Sequence, residues 1–190
     1  MSTKQEPRGV RNNNPGNIDR TKTPWQGEDR SGAALASEKR FCVFETPQAG
    51  FRALAKTLLT YQSKHGLRTV REMINRWAPP KENDTEAYIT QVAREVGVGS
   101  REIVSLTKQV PLQRMVTAIA RHENGGLFWD EAVIEAGVLR ALPVDHPILN
   151  SAEAHLVTRA GRRLSGAANR LLTHLASKME AFGAPDETTD

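Results

Sequence analysis

Thr46-Pro47-Gln48-Ala49-Gly50-Phe51-Arg52-Ala53-Leu54-Ala55-Lys56-Thr57-Leu58-Leu59-Thr60-Tyr61 is the stretch that decides the fold class. A Thr hydroxyl can accept a free N–H of a first helical turn. Pro just after it fixes φ and lacks an N–H that would be unpaired there anyway, so the pair marks a helix start. Phe51, Leu54, Ala55, Leu58, Leu59 and Tyr61 then recur at helical spacing, and Gly66 after His65 closes the helix.

The same signs repeat downstream. Thr69 caps a second helix carrying Val70, Met73, Ile74 and Trp77 on one face, and Pro79-Pro80 ends it. Asp84 or Thr85 caps a third helix, with Tyr88, Ile89, Val92, Ala93 and Val96 inward and Gly97 after them. Ser100 is expected to open a short fourth helix. A fifth is expected from Pro111 to His122, stopped by Asn124-Gly125-Gly126, and a sixth from Asp130 to Leu142. Upstream, Phe41-Cys42-Val43-Phe44 is apolar and β-prone and predicts a short strand of a small β-hairpin. Asn, Pro and Gly crowd Arg8-Gly9-Val10-Arg11-Asn12-Asn13-Asn14-Pro15-Gly16-Asn17-Ile18, which predicts tight turns. The polar stretch from Asp19 to Ser37 holds Trp25 as its one large apolar residue.

Beyond Leu142-Pro143-Val144-Asp145-His146-Pro147 the pattern changes. Leu156, Ala160, Leu164, Ala167, Leu171, Leu175, Met179 and Phe182 form one amphipathic stripe. The reading is therefore a flexible arm over 1–7 and a mainly α module over 8–142. A linker and long amphipathic helix follow over 143–182, then a polar tail over 183–190. An apolar stripe of that length packs on the module, pairs with another copy or another protein, or lies on a membrane surface.

Composition narrows the function. Lys and Arg number 26 against 22 Asp and Glu, a net charge of +4 with a pI near 9.5. This suits an anionic partner such as the bacterial wall, a membrane surface or nucleic acid without choosing among them. The basic residues are dispersed and carry no recognition motif, so no nucleic acid is expected. Cys42 is the single cysteine, which rules out an internal disulfide and reads as a buried small hydrophobe. The five histidines are scattered, so neither a metal nor a cofactor is expected. Residues 1–9 lack the apolar stretch of a signal peptide, and no run approaches the ~20 apolar residues of a membrane span.

Three clusters can carry chemistry. Asn12, Asn13 and Asn17 with Trp25 and Gln26 offer amide donors and acceptors beside a flat apolar face, which suits a sugar. The same residues equally serve to fix turns and plug a core. Trp77, Glu82 and Asn83 flank a rigid Pro-Pro corner, where Glu82 is either an acid facing a substrate or a charge favouring the next helix N-terminus. Glu123, with His122 and Asn124, sits at the C-terminal end of an apolar helix, where the dipole disfavours an anion. Burial there would raise its pKa, as a general acid for glycoside cleavage requires, while a solvated Glu beside a C-cap is the plainer account.

These motifs, in this order, resemble a phage and prophage virion structural protein family often called structural protein P5. Residues 8–18, Trp25-Gln26-Gly27 and Phe41-Cys42-Val43-Phe44-Glu45-Thr46-Pro47 carry the first half of the pattern, with Gly50, Arg52-Ala53, Leu58 and Tyr61. Trp77-Ala78-Pro79-Pro80, Glu82-Asn83-Asp84-Thr85, Tyr88 and His122-Glu123-Asn124-Gly125 complete it, and the resemblance covers about residues 8 to 140. At a second level the order is similar to glucosaminidase-type and lytic-transglycosylase domains, which implies an α+β lysozyme-like fold. Glucosaminidases carry their catalytic Glu ahead of the Asn-Asn turn, where this chain offers Glu6 in a polar arm. The end of the fifth helix instead resembles the Glu-Ser-Gly helix end of lytic transglycosylases.

The expectation is a virion-associated, lysozyme-like protein that binds and cleaves peptidoglycan glycan during DNA entry or lysis. It would be made in the host cytoplasm or carried in the virion, and would act at the cell wall. Glu123 is the expected acid, with Glu82 or Glu45 as a second carboxylate. Asn12, Asn13, Asn17, Trp25, Gln26, Trp77, Asn83, His122 and Asn124 are the expected glycan contacts. The alternative is a non-catalytic virion building block that assembles through residues 150–182. The enzymatic reading requires Glu123 to lie within ~10 Å of the Asn12–Asn17 turn, since both must act on one glycosidic bond.

Overall fold

A computed structural model describes residues 6–80 and 84–142. The expected amphipathic helix over 150–182 lies outside the described residues, as do Glu82 and Asn83. Seven helices are present among the described residues: α1 (Arg8–Arg11), α2 (Gly32–Ser37), α3 (Pro47–His65), α4 (Val70–Trp77), α5 (Thr85–Val96), α6 (Gln109–Asn124) and α7 (Glu131–Leu139).

The strongest sequence signals set the helix ends. The Thr46 side chain accepts from Ala49 N, Pro47 opens α3, and Gly66 in the left-handed region closes it. Thr69 and Glu72 form a reciprocal capping box on α4, satisfying one free N–H on each side. Asp84 caps α5 and Gly97 ends it. The α6 helix runs longer than its periodicity suggests, and α7 stops at Leu139 rather than Leu142. The core lies between these helices: Phe51, Leu54, Leu58, Met73, Ile74, Ile89, Leu112, Met115 and Ile119 are fully buried. Helix α3 packs on α6 and α7, α5 on α4 and α6, and α1 touches the end of α6. No helix among the described residues is long and apolar enough to cross a membrane.

Two expectations fail for identifiable reasons. The Phe41–Phe44 run buries Cys42 and Phe44, yet it forms isolated antiparallel bridges, Asp19 to Phe41 and Glu28 to Phe44, rather than a hairpin. The carbonyls of Cys42 and Phe44 are taken by side chains, while that of Val43 accepts from Asp29 N. Asn14 Nδ2 donates to Cys42 O and Asn13 Nδ2 to Phe44 O, both at 3.0 Å. The short helix expected at Ser100 is a turn. Its backbone is used by the α3–α4 connection and the first turn of α4 instead: Arg71 N donates to Ser100 O, Val104 N donates to Arg68 O, and Thr69 bridges Ile103.

Helix α2 was not foreseen. Ser31 caps it, but only Ala34 on it is buried, so no apolar stripe marks it in the sequence.

Candidate functional site

The Asn-rich turn is built from its own side chains. Asn13 and Asn17 have φ of 49° and 47°, a left-handed conformation that Asn tolerates better than most residues. Asn14 is completely buried. Its Oδ1 accepts from Ile18 N at 2.9 Å, and its Nδ2 donates to Ile18 O and Cys42 O at 3.0 Å. The turn sits on α3 at Gly50, where a Cβ would run into Asn13 O and Pro15. It is tied to α6 by Asn124, whose Nδ2 donates to Pro15 O at 2.9 Å and Ala120 O at 2.7 Å.

This tie brings Asn17 onto Glu123. Asn17 Nδ2 donates to Glu123 Oε2 at 3.2 Å and to the Glu123 carbonyl at 3.4 Å, satisfying one of the free carbonyls of the α6 C-terminus. The turn and the helix end are therefore in direct contact, inside the ~10 Å that joint action on one bond requires. Two further donors reach the same carboxylate. Trp77 Nε1 from the end of α4 donates to Oε1 at 3.0 Å, and the Tyr88 hydroxyl from α5 donates to Oε1 at 3.1 Å. Burial, and then the Glu123 carboxylate beside it, push the Tyr88 phenol up from its usual pKa, so it stays a donor. Glu123 is half-buried and Trp77 is half-buried, with the indole resting on Gly16. A Cβ on Gly16 would come within 2.9 Å of the Trp77 ring and 3.1 Å of Leu54.

Four elements thus converge on one carboxylate. One polar atom there lacks a partner: Asn17 Oδ1 is buried and makes no hydrogen bond among the described residues. His122 makes no side-chain hydrogen bond to the carboxylate among the described residues and instead stacks on the Tyr88 ring, centroids 3.5 Å apart and planes at 12°. Burial lowers its pKa, against opposite pulls from Glu123 and Glu95.

Among the described residues, the other sequence candidates do not bond the Glu123 carboxylate. Asn12 is buried and bonds Glu38, while its carbonyl accepts from Phe44 N. Asn13 and Asn124 are bonded to backbone, as turn and tie residues. Trp25 packs against a second small core of Cys42, Phe44 and Ala53. Gln26 and Glu45 are exposed. Among the described residues, no hydrogen bond or ring contact joins Trp25, Gln26 or Glu45 to the Glu123 cluster. Cys42 is fully buried, and its thiol is pushed up to about 12, first by burial and then by the Glu28 charge, so it stays protonated at neutral pH. Among the described residues no group of three or more His, Cys, Asp or Glu side chains is gathered to hold a metal ion.

Two residues escaped the sequence reading. Tyr88 was placed on the inward face of α5 with no partner for its hydroxyl, although a buried phenol needs one. Glu28 was not singled out at all. Its side chain is wholly buried, accepts from Trp25 N at 2.9 Å, and pairs with Arg30 at 2.9 Å and Arg20 at 3.6 Å. It locks the loop over 20–30 beside the second core. A groove of about 630 Å³ runs along another flank of α6, lined by Gln109, Gln113, Arg114, Arg121 and Glu95 among others, and Glu123 does not line it.

No protein-family model matches the chain. The chain is 45% identical over 121 residues to Protein P5 of Pseudoalteromonas phage PM2, a match covering 62% of this chain and 71% of that protein. Identity of that extent over most of the relative places the chain in the family of this phage's Protein P5.

Proposed function

We propose that this phage-family protein is a virion-associated, lysozyme-like module that binds peptidoglycan glycan and cleaves it, with Glu123 as the general acid. The observation that carries the reading is the asymmetric set of donors on Glu123. Oε1 receives both Trp77 and Tyr88, which occupies its two lone pairs and fixes the plane of the carboxyl group. Oε2 receives Asn17 alone. One position on Oε2 is left open, and it is from there that the carboxyl group would deliver a proton to a glycosidic oxygen.

The surroundings support a sugar. Trp77 offers a partly exposed indole for the C–H face of a pyranose. The net charge of +4 favours approach to an anionic wall. A single carboxylate points to a transglycosylase, in which a substrate hydroxyl closes on its own sugar. A second carboxylate roughly 5 to 9 Å away allows hydrolysis.

The test is to add the purified full chain to isolated murein and to outer-membrane-permeabilised cells, and to analyse released muropeptides. Anhydro ends identify transglycosylation and reducing ends identify hydrolysis. A folded chain that binds murein and releases nothing would replace this reading with that of a non-catalytic virion building block.

A further inference from the structure

Behind Tyr88 lies a chain of bonds that the acid–base reading does not use. Arg121 on α6 pairs with Glu95 on α5. Gln91 Nε2 donates to Glu95 Oε1 at 3.1 Å, and Gln91 Oε1 lies 2.8 Å from His122 Nδ1. The orientation of this chain is forced. An ionised carboxylate only accepts, so the Gln91 amide must turn its NH2 toward Glu95 and its oxygen toward His122. An amide oxygen only accepts, so His122 Nδ1 must carry the hydrogen.

We propose that His122 is a positioning residue for Glu123: Gln91 locks its imidazole as the Nδ1–H tautomer, flat against Tyr88, and the stacked ring holds the Tyr88 hydroxyl on Glu123 Oε1. The stack is close and nearly parallel, so the phenol cannot swing toward α6 without displacing the imidazole. The charged and titratable groups facing the ring are Glu123 and Tyr88 on its Tyr side and Glu95, backed by Arg121, on its Gln91 side. A neutral imidazole suits the role, because a cation beside Glu123 would favour the ionised carboxylate and withhold the proton. The catalytic consequence rests on Glu123 being the acid, whereas the positioning itself does not.

Gln91→Leu removes the acceptor from a half-buried helical position while keeping a good helix former. Ring-nitrogen shifts of the full-length, isotope-labelled chain report the tautomer, with the His122 signals assigned by their loss in His122→Gln. The Trp77 indole N–H shift reports the Glu123 carboxylate to which it is bonded. Soluble murein glycan strands give kcat and KM. The expected wild-type result is Nδ1–H. In Gln91→Leu that tautomer is lost, the Trp77 indole signal moves, and kcat falls on the order of tenfold or more with KM unchanged. A wild-type Nε2–H tautomer overturns the proposal. So does a Gln91→Leu chain whose Trp77 signal stays in place. Should the wild-type chain cleave no murein, the enzymatic reading fails alone, and the two NMR signals still decide whether His122 positions Glu123.

Discussion

Asn14→Ala tests whether side chains hold the N-terminal turn together. Asn14 is fully buried and makes three hydrogen bonds. Alanine leaves Cys42 O, Ile18 N and Ile18 O without those partners. Cys42 is completely buried, so its carbonyl bears the full penalty of about 1–3 kcal/mol, while half-buried Ile18 recovers part of its loss from water. The total is about 3 kcal/mol, against an expected stability of roughly 7–20 kcal/mol for a module of this length. The variant should therefore fold, with a clearly lowered urea midpoint followed through tryptophan fluorescence. Asn14→Asp keeps the shape and the acceptor but loses the donor and buries a charge, so it should be no better than alanine. A loss below about 1 kcal/mol in Asn14→Ala would refute the claim that this side chain replaces a strand ladder.

Further outcomes follow from the same contacts. Gly16→Ala should push the Trp77 indole, at a cost of about 1–2 kcal/mol by overpacking, and should shift Trp77 fluorescence as well as lower any glycan cleavage. Glu28→Gln keeps the shape of a wholly buried side chain but weakens its bonds to Arg30 and Arg20. Both arginines retain some access to water, so a loss of about 2 kcal/mol is expected in chemical unfolding. Because His122 has a lowered pKa in the folded chain, the native state binds a proton less readily than the unfolded one. Stability should be fully present above about pH 6.5 and decline as pH falls through that value, and His122→Gln should flatten this part of the stability–pH curve.

The helices that set the bundle were legible because each carries its own start and stop: Thr46 with Pro47 and Gly66, Thr69 with Glu72, Asp84 with Gly97. What was not legible depends on distant partners. The extended run at Phe41–Phe44 looked like a strand, yet its pairing depends on amide side chains 28 and 31 residues away. Glu123 could be singled out by its position at a helix end. Its donors come from three other elements, and Asn17 lies 106 residues away in the chain. Tyr88 sat in an apolar stripe and gave no sign of which acceptor its hydroxyl would reach. Glu28 followed a Trp-Gln-Gly turn in a polar stretch, where nothing local announces burial.

The most direct measurement compares muropeptide release from isolated murein by the wild-type chain and by Glu123→Gln. The amide keeps an oxygen for Trp77 and Tyr88, and Asn17 can flip to offer Oδ1 to the new NH2, so the variant should unfold within about 1 kcal/mol of wild type. The account predicts glycan release by the wild type and a loss of about a hundredfold or more in the variant. Equal release by both proteins, or none by the folded wild type, would contradict it.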